Sequence, residues 1–214
     1  MIAIVDYGAG NLRSVANAIA KLGYQPTVTS NPGDLPDAAA VILPGVGAAA
    51  DTMRNLERLG LSGAIRRVVA DGLPMLAICV GMQVLFDETE EGGRHRCLGI
   101  IPGVVRRLPP GLKIPHMGWN QVDQKIHHLL FDSIPDGANF YFVHSYCAEP
   151  KDPAIVAGTT DYGTPFCSAL VRGNLMATQF HPEKSGENGL RMYDNFLRLA
   201  SVGGRNRPGG RTRS

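Results

Sequence analysis

The sequence has 214 residues, 44% hydrophobic and 19% charged, which suits one domain with a sizeable core and excludes a disordered chain. The formal net charge is +2, yet Arg205, Arg207, Arg211 and Arg213 crowd the end of the chain; subtracting those four from +2 leaves the body at about −2, a balance that calls for no nucleic-acid partner. The opening Met1-Ile-Ala-Ile-Val-Asp6 lacks the basic and long apolar regions of a signal peptide, and no apolar run nears the roughly 20 residues of a membrane helix, so a cytoplasmic protein without membrane contact is expected.

The elements follow in chain order. Ile2–Val5 is a β-branched apolar run that reads as a buried first strand, closed by the turn Asp6-Tyr-Gly-Ala-Gly10. Residues 11–22 carry Leu12, Val15, Ala16, Ile19 and Leu22 at helical spacing, with Asn11 as N-cap and Gly23 as terminator. Strands are expected at Pro26–Thr29 and 39–43, the latter stopping at Pro44-Gly-Val-Gly47. A helical stretch over 48–70, broken near Gly60 to Gly63, leads to a strand at 74–78 and a short helix at 81–86. This alternation predicts an α/β fold with a largely parallel central sheet flanked by helices. From Cys97 to Leu175, Pro and Gly punctuate short β-like runs at 98–101, 104–108, 119–122, 138–142, 155–159 and 167–171, which predict antiparallel hairpins added to that core. A last strand at 175–180 and a helix at 188–199 close one domain, residues 1–202. The Gly/Arg/Pro-rich residues 203–214 read as a disordered tail, a solvated extension before any RNA- or acid-binding segment.

Two short segments carry the chemistry. In Pro74-Met-Leu-Ala-Ile-Cys79-Val-Gly-Met-Gln83 a buried strand gives way at once to a helix, with cysteine at the corner and small residues, Ala77 and Gly81, two positions to either side. That is the setting of a nucleophile elbow, where a helix N-terminus favours the thiolate and the N–H of Val80 points at a substrate oxygen. A buried core cysteine fits this segment equally well. In Met176-Ala-Thr-Gln-Phe-His181-Pro-Glu183, His181 and Glu183 project to one side of an extended chain whose geometry Pro182 fixes. A carboxylate can then hold one imidazole nitrogen while the other faces a thiol. A surface His–Glu pair is the plain alternative, and the elbow cysteine about a hundred residues earlier favours the catalytic one. The four cysteines are far apart with no C-x-x-C pair, His127 and His128 are adjacent and diverge on a strand, and no P-loop is present, so neither metal nor cofactor is expected.

These segments resemble the class I (triad) glutamine amidotransferases over nearly the whole chain, from Asp6 to about Leu199. Asp6-Tyr-Gly-Ala-Gly-Asn-Leu12, Pro44-Gly-Val-Gly47, Pro115-His-Met-Gly-Trp-Asn120, Tyr141-Phe-Val-His-Ser-Tyr146 and His181-Pro-Glu-Lys-Ser185 look like the glutaminase subunits of imidazole glycerol phosphate synthases. The resemblance implies hydrolysis of L-glutamine to glutamate and ammonia through a Cys79 thioester. The ammonia passes to a separate (β/α)8-barrel cyclase subunit, in a heterodimer that makes imidazole glycerol phosphate and AICAR during histidine synthesis. A chain of this length does not itself hold a barrel of roughly 250 residues. The resemblance also implies an oxyanion site from the N–H of Val80 and the Gly45, Val46, Gly47 loop, which a flipping peptide would complete, and glutamine contacts from Gln83, Glu91, His144 and Ser145. It places Asn11, Trp119 and Lys184 toward the partner. Glu91 with Glu88 and Glu90 also reads as a solvated acidic loop, His144 as a structural histidine, and Lys184 as a plain surface lysine. The family often has Gly where this chain has Ala77, which implies a slightly altered elbow. A subunit serving a chorismate- or pyridoxal-pathway synthase is the nearest alternative; a different hydrolase on the same fold and a binding-only regulator are further ones.

Overall fold

In the computed structural model, which describes residues 1–203, four short strands form the middle of the molecule: β1 (Ile2–Val5), β3 (Ala40–Leu43), β4 (Met75–Ile78) and β13 (Leu175–Thr178). All sixteen positions in them are buried. Strands buried on both faces need continuous apolar sequence, and parallel pairing supplies that burial. With the half-exposed edge strand β2 (Pro26–Thr29) they run parallel in the order β2-β1-β3-β4-β13. Helix α1 (Leu12–Lys21) packs on α5 (Gly186–Gly203), and α2 (Ala49–Arg58) on α3 (Leu61–Ala70), so two helix pairs flank these strands. Gly60 adopts φ +70° between α2 and α3, where the sequence predicts the break.

Beyond β13 the sheet turns mostly antiparallel. It continues through β12 (Pro165–Arg172), β10 (Tyr146–Pro150) and β7 (Ile101–Arg107) to β5 (Phe86–Thr89) and β6 (His95–Arg96). β11 (Val156–Asp161) branches from β12 and carries the hairpin-like pair β8 (His116–Gln124) and β9 (Ala138–His144). The added hairpins thus join the same sheet as the parallel core.

Several local expectations change. The helix expected over 81–86 is a single turn, α4 (Val80–Gln83), and Phe86 instead opens β5, parallel to β7. An apolar run of this length suits either element, and only the distant β7 decides. The run expected over 104–108 belongs to a longer strand, β7, that begins at Ile101, residues 98–100 of the neighbouring expected run lie outside any strand, and β6 and β10 were not expected at all. Asn11 stands at the N-cap of α1 without a capping side-chain bond, because its amide turns elsewhere. His127 and His128 lie in a loop rather than a strand, and the His128 ring accepts from the Leu130 N–H. The expected tail lies outside the described residues except for Gly203, which ends α5. Among the described residues no helix is long and apolar enough to cross a membrane.

Candidate active site

The carboxyl ends of β1, β3, β4 and β13 converge, which is where open α/β sheets bind ligands. Cys79 follows β4 directly. Its N–H still bonds Thr178 O of β13 at 2.7 Å, but its backbone swings to φ 54°, ψ −112° before α4 begins. A non-glycine residue at positive φ stores strain of about 1–3 kcal/mol, tolerated where the surroundings over-determine it. The surroundings here are tight. A Cβ on Gly45 would collide with the Gly81 backbone nitrogen, and a Cβ on Gly81 with the Leu43 carbonyl. Gly45 is therefore required for close approach to the elbow, whereas Gly47 has open space and a left-handed φ of +87°. Ala77 is fully buried between Leu43 and Ala177, so its methyl fits the elbow. The single turn of α4 leaves the Val80 N–H outside the helical ladder.

His181 comes three residues after β13. Its N–H bonds Tyr141 O of β9 at 2.9 Å, and its Nδ1 lies 2.8 Å from Glu183 Oε1. The pair does not sit on one extended strand, because Pro182–Lys184 form a 3-10 turn that brings the carboxylate back to the ring. Both side chains are about 1% exposed. A carboxylate accepting at Nδ1 fixes the tautomer and leaves Nε2 for Cys79. Nε2 is buried and makes no hydrogen bond of normal geometry. Burial works against the charged ring, but interaction with Cys79 and then Glu183 overrides it and pushes the His181 pKa up to about 10. An imidazolium between a thiol and a carboxylate can hand a proton to a leaving amine.

A cavity of about 260 Å³ opens on this corner, lined by Cys79, Val80 and His181 together with Val46 and Gly47. Gln83, Glu91, His144 and Ser145 line the same cavity. All four expected glutamine-contacting residues therefore meet at one cavity with the cysteine. Gly45 lies beneath the elbow rather than on the cavity wall. Glu91 is not a freely solvated carboxylate: its Oε2 accepts from the Ala49 N–H at 2.7 Å, at the start of α2. His144 donates or accepts on both nitrogens, to Tyr146 O and to His116, each at 2.9 Å. Burial chiefly lowers its pKa to about 3, the Tyr146 carbonyl opposes this, and the charges of His116 and His181 add to it.

The sequence reading missed Gln179. It is fully buried, and its Nε2 lies 3.5 Å from Cys79 Sγ, while the thiol can donate to Val143 O at 3.8 Å. Its place in the run before His181 was visible, but nothing in spacing alone distinguishes it from a buried strand-end amide.

Asn11, Trp119 and Lys184 gather on one side of this corner. The Asn11 amide reaches Glu183 Oε1 at 3.5 Å. Trp119 is 57% exposed and packs edge-on against Tyr141, with ring centroids 5.9 Å apart; Lys184 Nζ stands 5.7 Å above the same ring. Among the described residues no group of three His, Cys, Asp or Glu side chains could hold a metal ion.

A cysteine on a strained strand–helix corner, facing a buried His–Glu pair at the ends of parallel strands, defines a class, and the chain belongs to it: the family of class-I glutamine amidotransferases, whose model matches residues 3–200. The fold agrees, since the crystal structure of a glutamine amidotransferase superimposes with a TM-score of 0.75 at 20% identity, covering 94% of this chain and 100% of that one. Within the family, the chain is similar to the imidazole glycerol phosphate synthase subunit HisH of Dehalococcoides mccartyi, 62% identical over 94% of this chain and 98% of that protein. The subunit of the same name from Moorella thermoacetica is 52% identical over 95% of this chain and 97% of its own length.

Proposed function

We propose that this chain is the glutaminase subunit of an imidazole glycerol phosphate synthase, with Cys79 as nucleophile, His181 as acid and base, and Glu183 as the group that orients it. The observation that carries the reading is the cavity wall itself, where Cys79 sits on a strained elbow beside an imidazole whose far nitrogen is held by a buried carboxylate 2.8 Å away. The thiolate adds to the side-chain carboxamide carbon of glutamine. The Val80 N–H and an N–H of the Gly45–Gly47 loop receive the developing oxyanion. The tetrahedral adduct collapses, the C–N bond breaks, and His181 protonates the departing ammonia. His181 then takes a proton from water, which attacks the γ-glutamyl thioester and releases glutamate. Glutamine is held by Gln83, Glu91 and the chain at His144 and Ser145.

The ammonia goes to a separate (β/α)8-barrel cyclase in a heterodimer, which forms imidazole glycerol phosphate and AICAR in histidine biosynthesis. The similarity to two subunits of that synthase, each matched over nearly its whole length, favours this partner over a chorismate- or pyridoxal-pathway synthase. Asn11, Trp119 and Lys184 face the partner, so docking can be felt at Glu183. Residues 1–202 act as one amidotransferase domain in the cytoplasm, where four free, buried cysteines remain reduced.

The decisive measurement is glutamine hydrolysis by the wild type and Cys79→Ala, with and without the cyclase and its nucleotide ligand. Cys79→Ala is expected to be inactive throughout, and the wild type to accelerate on docking. A missing oxyanion donor costs about 3–4 kcal/mol, so acceleration of roughly 10²–10³-fold is expected if the Gly45–Gly47 loop completes the hole only then. Activity retained in Cys79→Ala refutes the mechanism.

A further inference from the structure

A run of buried hydrogen bonds that takes no part in the proposed reaction steps ends at the nucleophile's sulfur. Gln83 Nε2 stands 2.9 Å from Tyr146 O and 3.0 Å from Gln179 Oε1, and the other end of Gln179, its Nε2, stands 3.5 Å from Cys79 Sγ. Gln179 is fully buried and Gln83 is 3% exposed. A backbone carbonyl only accepts, so the Gln83 atom facing Tyr146 must be nitrogen. The same nitrogen faces Gln179, so the Gln179 atom opposite it must be oxygen. Nitrogen is then what Gln179 turns toward the sulfur. Reversing that amide would set N–H against N–H at one end and oxygen against sulfur at the other.

The arrangement is anchored from further out as well. The Gln179 N–H bonds Ser168 O of β12 at 2.9 Å. Tyr146 O also receives the His144 Nδ1 proton, so His144 Nε2 must accept, His116 Nδ1 must donate to it, and His116 Nε2 faces the Asn120 amide at 3.3 Å. With both rings neutral, every proton in this chain has one consistent place.

We infer that Gln179 supports the nucleophile directly: its side-chain N–H donates to Cys79 Sγ and stabilises the thiolate, while Gln83 and the Tyr146 carbonyl hold the amide with nitrogen toward sulfur. The Val143 carbonyl near Sγ suits the protonated thiol, so Gln179 is the neutral group that offsets it. Both amide hydrogens of Gln83 are spent on this support. Only its Oε1 stays outside this support. The inference rests on Cys79 being the nucleophile.

The test is alkylation of Cys79 by iodoacetamide, followed by peptide mapping across pH on the full chain, beside glutaminase kinetics. Cys97, Cys147 and Cys167 give little background, because burial pushes their thiols up to about 12, 11 and 12. Tyr7, Glu91, His144, Tyr146, His181 and Glu183, the titratable groups around the sulfur and its cavity, stay unchanged in every variant. Gln179→Met keeps the bulk and removes the donor. It is expected to slow alkylation at neutral pH about tenfold and to move the profile about one unit upward, lowering kcat more than it raises KM. Gln179→Glu, which sets a carboxylate against the sulfur, should move the profile further. Wild-type profiles in both variants overturn the inference. Should neither fold, Gln83→Met frees the Gln179 amide to turn, and the same slowing, to a smaller degree, is expected there; an unchanged rate in it overturns the inference too. Glutaminase activity surviving in Cys79→Ala is a different result, which removes the nucleophile reading itself.

Discussion

At the residue scale, the buried pair His181 and Glu183 controls how the site handles protons. Glu183 contributes a charge as well as a hydrogen bond, and the raised His181 pKa depends on that charge after Cys79. Glu183→Gln keeps the shape but loses the charge and can present N–H to Nδ1. Its kcat is expected to fall by up to about 10⁴-fold with a smaller change in KM, as steady-state glutaminase kinetics would show; a near-normal kcat would mean the carboxylate only fills space. His144 behaves in the opposite sense. An unfolded histidine takes a proton below pH 6.5, but the folded ring, desolvated and paired, refuses it until about pH 3. The unfolded state therefore binds more protons in that window, and stability present above pH 6.5 is lost as pH falls toward 3. His144→Gln should flatten this slope by up to about 1.4 kcal/mol per pH unit in urea unfolding, and an unaltered slope would contradict it. That Cys79, His181 and Glu183 would come together was legible, because a strand-end elbow and the His-Pro-Glu spacing mark them in the sequence. Gln179 was not, because its setting arises only when β4 with α4, β10 and β13 bring Cys79, Gln83, Tyr146 and Gln179 together.

At the element scale, the elbow is a packing problem between two loops. The loop after β3 lies against the turn after β4, and Gly45 and Gly81 allow the backbones to touch. The two glycines of the Pro44–Gly47 segment therefore serve different ends. Gly45→Ala forces a backbone collision and is expected to cost about 3 kcal/mol of stability and most of the activity. Gly47→Ala meets open space but strains a left-handed residue, a cost of about 1–2 kcal/mol. Chemical denaturation of both would reverse this assignment if Gly47→Ala proved the worse. The motif predicted that glycine was needed, but not which constraint each one met, since close approach depends on a neighbouring strand. The same reason explains α4. Gly81 to Phe86 reads as helix by local pattern, but pairing with β7 draws Phe86 into a strand and leaves one helical turn, Val80–Gln83.

At the scale of the whole molecule, the exposed surface beside the triad is aromatic and cationic. Trp119 and Met117 are 57% and 60% exposed on β8, next to Tyr141 and Lys184. An exposed tryptophan with a polar rim is the composition of an interface anchor. Trp119→Ala is expected to leave thermal stability within about 0.5 kcal/mol of wild type and to weaken cyclase binding by about 2 kcal/mol, roughly thirtyfold in Kd by calorimetry. Unchanged affinity would move the interface elsewhere. Asn11 lies on this side too, and its amide reaches Glu183 instead of capping α1. A partner docked on this face, as proposed, would adjoin the Glu183 carboxylate that bonds His181.

The sequence alone determined the strand order's raw material, the elbow cysteine and the His–Pro–Glu triplet. Continuous apolar runs demand burial on both faces, and reactive side chains must stand at fixed short spacings. Tertiary structure decided what depends on residues far apart in the chain: that β5 pairs with β7, that Glu91 holds the start of α2, that Asn11 reaches Glu183, and that a glutamine turns its nitrogen toward Cys79. Hydrogen bonds between distant segments have no periodicity to read. They exist only once the sheet has set the distances.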